Sequence, residues 1–353
     1  MPNSIITATG SYIPTSKVPN EYFVGRDFYG SDGMKLERST VDIIQKFQEI
    51  ACITERRYVT DDLNTSDIAF ISAQQALEGV DRESLDYIIV GQNFGDVRAD
   101  NPQSEMVPSI AARVKQKLGI QNPYTIAYDV IFGCPGWLQG MTMADYYIKS
   151  GDATKILVIG AETLSRISDP HDIDSMLYSD GAGAALVEAT DRDAGIMSHA
   201  TRSDTFKEAF FLWFDKSHNS LSSKNRLFLK MHGHEVYKYA VKRVPEVVKE
   251  SLEKAGLTLS DVKKILIHQA NQKMDEAILK RLFKLYKIKN IPEHIMPMTI
   301  SWLGNSSVAT LPTMFDLLRR GKLNNHKLLS GDIVVFASVG AGMNINSMVY
   351  KMH

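Results

Sequence analysis

A thiol at Cys134, an imidazole at His268 and a carboxamide at Asn305 are the side chains whose types and settings suit covalent chemistry on an acyl group. Cys134 sits in AYDVIFGCPGWLQGMTMADYYIKSG, where an apolar strand, a Gly133 turn and a helix follow one another. Pro135 suits the first helical position, where a missing N–H costs nothing. A thiol at that junction is expected to face free backbone N–H groups and the positive end of the helix dipole, both of which favour the reactive thiolate. The same amides would stabilise an oxyanion on an attached thioester. A small buried core cysteine is the alternative.

His268 ends the apolar stretch KILIH and opens the polar HQAN. The C-terminal end of a buried strand is where α/β folds place their active sites, although a hydrogen-bonded strand-end histidine reads the same way. Asn305, in SWLGNSSVATLP, reads on its own as a turn and helix cap. The SVGAGMNINS segment after IVVFA brings flexible backbone close to a ligand, or simply makes a tight turn.

These groups need a scaffold. Apolar runs at Tyr87–Val90, Thr125–Val130, Lys155–Ile159, Ala184–Val187, Lys264–His268 and Ile333–Ala337 read as buried strands. Helical spacing marks Ser66–Leu77, Val107–Leu118 and Gln139–Lys149 between them, so the class is α/β. The stretch EGVDRESLDYIIVGQN is echoed by KAGLTLSDVKKILIHQAN, which points either to a duplicated unit or to two ordinary αβ connections. Residues 199–226 are aromatic and aperiodic, as a lid or a plain insertion would be.

Composition sets the remaining bounds. The 353 residues are 44% hydrophobic and 23% charged with net charge −1, so no global field marks the chain for nucleic acid or a membrane surface. Two cysteines, Cys52 and Cys134, make no disulfide framework and no metal spacing. Neither a secretory leader nor an apolar run near the ~20 residues of a membrane span is present, so a cytoplasmic location without membrane insertion is expected.

Taken in order, GSYIP, ITERR at 53–57, VPSIAARVKQKLGI at 107–120, the CPG of the nucleophile, SDGAGAALVE at 179–188, MHGHEVYKYAV at 231–241, HQAN, GNSS and VGAGMNINS closely resemble the β-ketoacyl-ACP synthase III family of the thiolase superfamily. The resemblance implies a thiolase-like fold. Two α/β halves, 1–190 carrying the cysteine and 191–353 carrying His and Asn, would form a five-layer αβαβα sandwich as a homodimer. It implies decarboxylative condensation of an acyl thioester with malonyl-ACP through an acyl-Cys134 intermediate. His268 and Asn305 would hold the malonyl carbonyl, and the amides of Cys134 and Ala341 would form the oxyanion hole. No cofactor is implied beyond the substrates, acyl-CoA or acyl-ACP and malonyl-ACP.

Substrate contacts are implied at Arg166, Gly233, His234, Asn271 and Val107, and an acyl carrier protein patch at Lys238, Lys273, Lys280 and Arg281. The family's adenine-clamping Trp and its nearby Arg fall at Lys46 and Ile50, which weakens acyl-CoA as the primer. Related readings are an enzyme joining two acyl chains, as in dialkylresorcinol or alkylquinolone pathways, and an acyltransferase, which usually alters the His or Asn. A hydroxymethylglutaryl-CoA synthase would need a Glu where Gln92-Asn93 stand, and a non-catalytic partner subunit would lack Cys134.

Overall fold

The computed structural model describes residues 1–222 and 226–353. In chain order, β1 (Asn3–Tyr12), β2 (Ser16–Pro19), α1 (Thr40–Ala51), β3 (Glu55–Tyr58) and α2 (Thr65–Ala76) come first. They lead into β4 (Tyr87–Gly91), β5 (Asp96–Val97), β6 (Ser104–Glu105), α3 (Ile110–Leu118), β7 (Ile126–Val130), α4 (Gly136–Ser150), β8 (Lys155–Thr163) and β9 (Asp180–Thr190). The second half holds β10 (Gly195–Ser203), β11 (Leu212–Asp215), β12 (Phe228–Met231), α5 (Gly233–Lys254), β13 (Val262–Ile267) and α6 (Gln272–Leu285). It closes with α7 (Ile300–Leu303), α8 (Thr310–Arg319), β14 (Ile333–Gly340) and β15 (Asn344–Lys351).

Two sheets carry the architecture. The first has the order β1-β9-β8-β4-β7 and the second β10-β15-β14-β13. Strand directions match as well as order: β4 runs parallel to β8 as β13 does to β14, while β9 and β15 are antiparallel to both neighbours. Helices α2 and α3 cover the outer face of the first sheet and α5 and α6 that of the second; α4 and α8 lie between the sheets. The layers therefore run α, β, α, β, α.

Local sequence explains the layers. Helix α4 buries Trp137, Met141, Ala144 and Ile148 at helical spacing, and these pack with Phe315 of α8 and Phe336 of β14 in the core between the sheets. Strands β8 and β14 are buried along nearly their whole length, as their near-continuous apolar sequences require when both faces are covered. Strand β8 continues past the expected Ile159 to Thr163, which carries Glu162 into the interior.

The aperiodic stretch from 199 is more ordered than a lid or loop. Its start belongs to β10, and β11 pairs with β12 as an antiparallel hairpin. Lys230 of β12 pins that hairpin through buried ion pairs to Asp169 at 2.5 Å and Asp172 at 3.0 Å. The expectation for residues 223–225 lies outside the described residues.

Gln269, fully buried after β13, ties down the chain ahead of α7. Its Oε1 accepts from the backbone N–H of Thr299 at 2.8 Å and Ile300 at 3.0 Å, and its Nε2 donates to the Pro297 carbonyl at 2.7 Å. Gln269→Ala would strand these buried groups and is expected to cost roughly 2–5 kcal/mol. Chemical denaturation would measure it; an unchanged midpoint and slope would contradict this role.

Candidate active site

Asn93, Cys134, Glu162, His268 and Ala341 all lie at or just beyond the C-terminal ends of the parallel strands β4, β7, β8, β13 and β14. Polar side chains collect there because the strands end together, leaving a crevice between chain turns.

Cys134 follows Gly133, whose φ of +64° is a left-handed conformation that glycine adopts freely. Space forbids a side chain there as well, since a Cβ on Gly133 would lie 2.6 Å from the Ala341 nitrogen. Across the same seam, a Cβ on Gly340 would strike the Cys134 nitrogen. Two glycines thus let the nucleophile's turn and the end of β14 touch backbone to backbone. Both the Cys134 and Ala341 amides border that contact, an arrangement suited to an oxyanion.

The thiol does not have the lowered pKa expected from the helix start. Burial pushes it up to about 11, opposed by a hydrogen bond from Ser307 and reinforced by the nearby Glu162 carboxyl. The helix start offers little relief: Pro135 has no N–H, and the Gly136 N–H is bonded to the Gly133 carbonyl at 3.0 Å. Helix α4 itself begins at Gly136, with Pro135 as its cap.

His268 continues the β13–β14 ladder, its N–H donating to the Ala337 carbonyl at 2.8 Å. Burial lowers its imidazole to about 4, so the ring is neutral at pH 7, and Nδ1 has no partner among the described residues. Asn305 is held by backbone bonds to Leu177 at 2.9 Å and from Ser179 at 2.8 Å. Its Oδ1 accepts from the Ser307 N–H at 2.9 Å, which fixes the orientation of the carboxamide.

Ser307 joins two of these groups, because its hydroxyl donates to Cys134 Sγ at 3.5 Å. His268 reaches the centre by another route, through β14 and the Gly340–Ala341 turn.

A cavity of about 1130 Å³ opens beside this centre, lined by Gly233, His234, Asn271, Lys46 and Ile50 among others. Its wall approaches the centre through Leu177 and Ala270, but Cys134, His268 and Asn305 are not part of it. Asn271 also caps α6 by accepting from the Met274 N–H at 3.2 Å. Arg166 is elsewhere. It donates to the Thr60 carbonyl at 3.0 Å and lines a separate 320 Å³ pocket with Asn93 and Phe214, while Ile173 and Asp174 line the large cavity. Val107 is 88% exposed on the outer surface rather than in either pocket. Lys238, Lys273, Lys280 and Arg281 are exposed on α5 and α6, with Lys238 paired to Glu235 at 2.9 Å.

Sequence reasoning passed over Glu162, Asn93 and Ser307. Glu162 is fully buried, and burial raises its carboxyl to about 8 against hydrogen bonds from the side chain and backbone of Asn93. Asn93 Nδ2 donates to it at 2.7 Å, while Asn93 Oδ1 accepts from the Gly133 N–H at 2.9 Å. A carboxylate within the buried run VIGAET was the available signal.

Comparison with known proteins identifies the family. Residues 128–205 match the family model of 3-oxoacyl-[acyl-carrier-protein (ACP)] synthase III, and residues 252–352 match that of its C-terminal part. The chain is 34% identical over 360 residues to β-ketoacyl-[acyl-carrier-protein] synthase III of Xanthomonas campestris, covering 99% of this chain and 98% of that protein. It is 31% identical over 358 residues to the enzyme of the same name from Ehrlichia canis, covering 100% of both. The solved synthase III of Thermus thermophilus superposes with a TM-score of 0.80 at 29% identity, over 99% of each chain. On these likenesses the chain belongs to the 3-oxoacyl-[acyl-carrier-protein] synthase III family, with its thiolase-like fold.

Proposed function

We propose that this protein condenses an acyl thioester with malonyl-ACP through an acyl-Cys134 intermediate, releasing CO2 and forming a β-ketoacyl-ACP. The observation that carries this reading is the seam at Gly133 and Gly340, which sets the amides of Cys134 and Ala341 beside one nucleophile. In the first stage the Cys134 sulfur attacks the acyl carbonyl and the two amides receive the oxyanion; its collapse breaks the donor's C–S bond, and the departing thiolate takes up the proton that Cys134 gave up. In the second, neutral His268 and the Asn305 carboxamide donate to the malonyl carbonyl oxygen. That bond strengthens as CO2 leaves and negative charge gathers on the oxygen. The carbanion then attacks acyl-Cys134, and the thiol is regenerated. No group in this scheme needs a metal or redox cofactor.

Three finer elements complete the proposal. The carrier protein docks on the basic surface at Lys238, Lys273, Lys280 and Arg281, and its arm enters by the large cavity, against Gly233, His234 and Asn271. Lys46 and Ile50 at that cavity present an ammonium and an aliphatic chain instead of an aromatic plate, which favours a carrier-bound primer over acyl-CoA. The active unit is a homodimer formed through β7, an edge strand of the first sheet beside exposed Tyr124, Ile126 and Ile131. Val107 is exposed too, and in the dimer it would contact the neighbouring subunit's acyl chain. We read residues 1–190 and 191–353 as the duplicated halves, and the free thiols of Cys52 and Cys134 suit a reducing cytoplasm.

Incubation with acyl-ACP should add one acyl mass to the intact protein, and Cys134→Ala should abolish the adduct. An adduct retained by that variant would remove Cys134 from the nucleophile's role. Acyl-CoA of the same chain should load more slowly; faster loading from CoA would overturn the carrier preference.

His268→Ala and Asn305→Ala should each lower CO2 release from malonyl-ACP by roughly 10²–10³-fold while Cys134 still acylates. Because the His268 pKa is lowered to about 4, the ring is neutral throughout pH 5.5–9. The rate of CO2 release should therefore show no histidine inflection near 6.5; an inflection there that disappears in His268→Ala would contradict the assignment.

A further inference from the structure

The pocket that holds Arg166 has no part in the chemistry described above. It measures about 320 Å³, small for a ligand site, and is separate from the large cavity. Asn93 stands in its wall and holds the Gly133 N–H at 2.9 Å, so the pocket begins one hydrogen bond away from the nucleophile's turn. Phe94, Val97, Ile167 and Phe214 give it apolar walls, with the Phe94 and Phe214 ring centroids 5.2 Å apart.

Two guanidiniums share this apolar space, those of Arg166 and Arg226, and among the described residues no carboxylate lines it. The Arg166 side chain is only 10% exposed. Its Nη2 donates to the Thr60 carbonyl at 3.0 Å, but its buried Nη1 has no partner among the described residues. Its ion pair with Asp61 is long, at 3.8 Å, and that carboxylate stands almost wholly in water. Arg226 lies 5.0 Å from the centroid of the Phe228 ring and donates to the Arg166 carbonyl. The acid that acts on it, Asp169, is already held by Lys230 at 2.5 Å and by the Ser217 hydroxyl at 2.9 Å. A buried guanidinium donor without an acceptor is costly to a fold and suits a site that binds an anion.

An anion in this pocket belongs to the acyl group, because the thioester carbon must reach Cys134 while the carrier's arm comes by the large cavity. The malonyl carboxylate is a poorer candidate. It must leave as CO2, and two cations gripping it would stabilise the reactant more than the transition state.

We propose that this pocket selects a primer whose acyl chain ends in a carboxylate, a short dicarboxylic acid joined to its carrier through one end, with Arg166 and Arg226 holding the other. This rests on the acyl-Cys134 reading. The methylenes lie along Phe94, Val97, Ile167 and Phe214. The terminal oxygens accept from Arg166 Nη1 and from the Arg226 guanidinium, whose planar forks match a carboxylate. The product is then a β-ketoacyl-ACP with an acid at its far end.

The test compares adipoyl-ACP with hexanoyl-ACP, six-carbon chains on one carrier that differ only in the terminal carboxylate. The rate at which each adds its mass to Cys134 of the whole protein is measured at limiting concentration. Adipoyl should load roughly 10²-fold faster. Hexanoyl loading at an equal or greater rate overturns the proposal and leaves the acyl-Cys134 reading standing; no adduct from either chain removes that reading and the proposal with it. Arg226→Met keeps an apolar stem without the charge and should bring the ratio of the two rates down toward one, while Arg226→Lys should keep part of it. A merely structural loss would lower both rates and leave their ratio. An unchanged ratio in Arg226→Met overturns the proposal, and should that variant fail to fold, an unchanged ratio in Arg166→Met does so equally. Weaker malonyl-ACP binding by hexanoyl-primed Arg226→Met, with the ratio intact, would give the pair to the malonyl carboxylate and also overturn it.

Discussion

The contact on which the rest depends is the backbone seam between the Gly133–Cys134 turn and the Gly340–Ala341 turn. Each turn ends a strand of a different sheet, and neither tolerates a Cβ at its glycine. The layers serve this contact. Helices α4 and α8 hold the sheets at the separation that lets two strand ends meet, with Trp137, Phe315, Phe336 and Tyr350 packed ring against ring between them. A nucleophile from one half and an amide from the other are joined with no long side chain to order, so little conformational entropy is lost on forming the site.

The centre so enclosed is built from neutral groups at pH 7. Burial raises the Cys134 thiol and the Glu162 carboxyl and lowers the His268 imidazole, each toward its uncharged form. Charge develops only during reaction, first on a thioester oxygen and then on an enolate oxygen. Fixed neutral dipoles in a dry site meet such charge without reorganising, and they do not stabilise the reactants as strongly as a permanent cation would. Lys230 fits the same logic from outside, its ammonium neutralised by Asp169 and Asp172 where it anchors the β11–β12 hairpin.

Much of this was legible from the residues. Most buried strands announced themselves as apolar runs, and strand-end positions for Cys134 and His268 followed from where those runs stop; the run at Thr125–Val130 is the exception, for β7 is an edge strand with Ile126 exposed. Boundaries drifted where a polar residue interrupts a buried strand: the run through β8 reads as ended at Ile159 because Glu162 looks like a loop residue, and it hid a group at the centre. The thiol was misjudged for a related reason. Strand-to-helix geometry is visible in sequence, but desolvation depends on what packs over the sulfur, and Pro135 and Gly136 withhold the N–H groups that the helix was expected to offer. Arg166 illustrates the converse. Its neighbourhood follows the family pattern, yet its guanidinium is held by the Thr60 carbonyl, away from the large cavity. The β11–β12 hairpin was illegible because long-range ion pairs, not periodicity, secure it.

Carbon–carbon bond formation is the claim on which the functional account stands. The direct measurement is the mass of the carrier protein after protein pre-acylated at Cys134 is mixed with malonyl-ACP. The account predicts a β-ketoacyl-ACP, heavier than malonyl-ACP by the acyl group and lighter by CO2, formed in step with loss of the acyl group from Cys134. Acetyl-ACP as the sole carrier product, with the acyl group still on Cys134 or released to water, would contradict it.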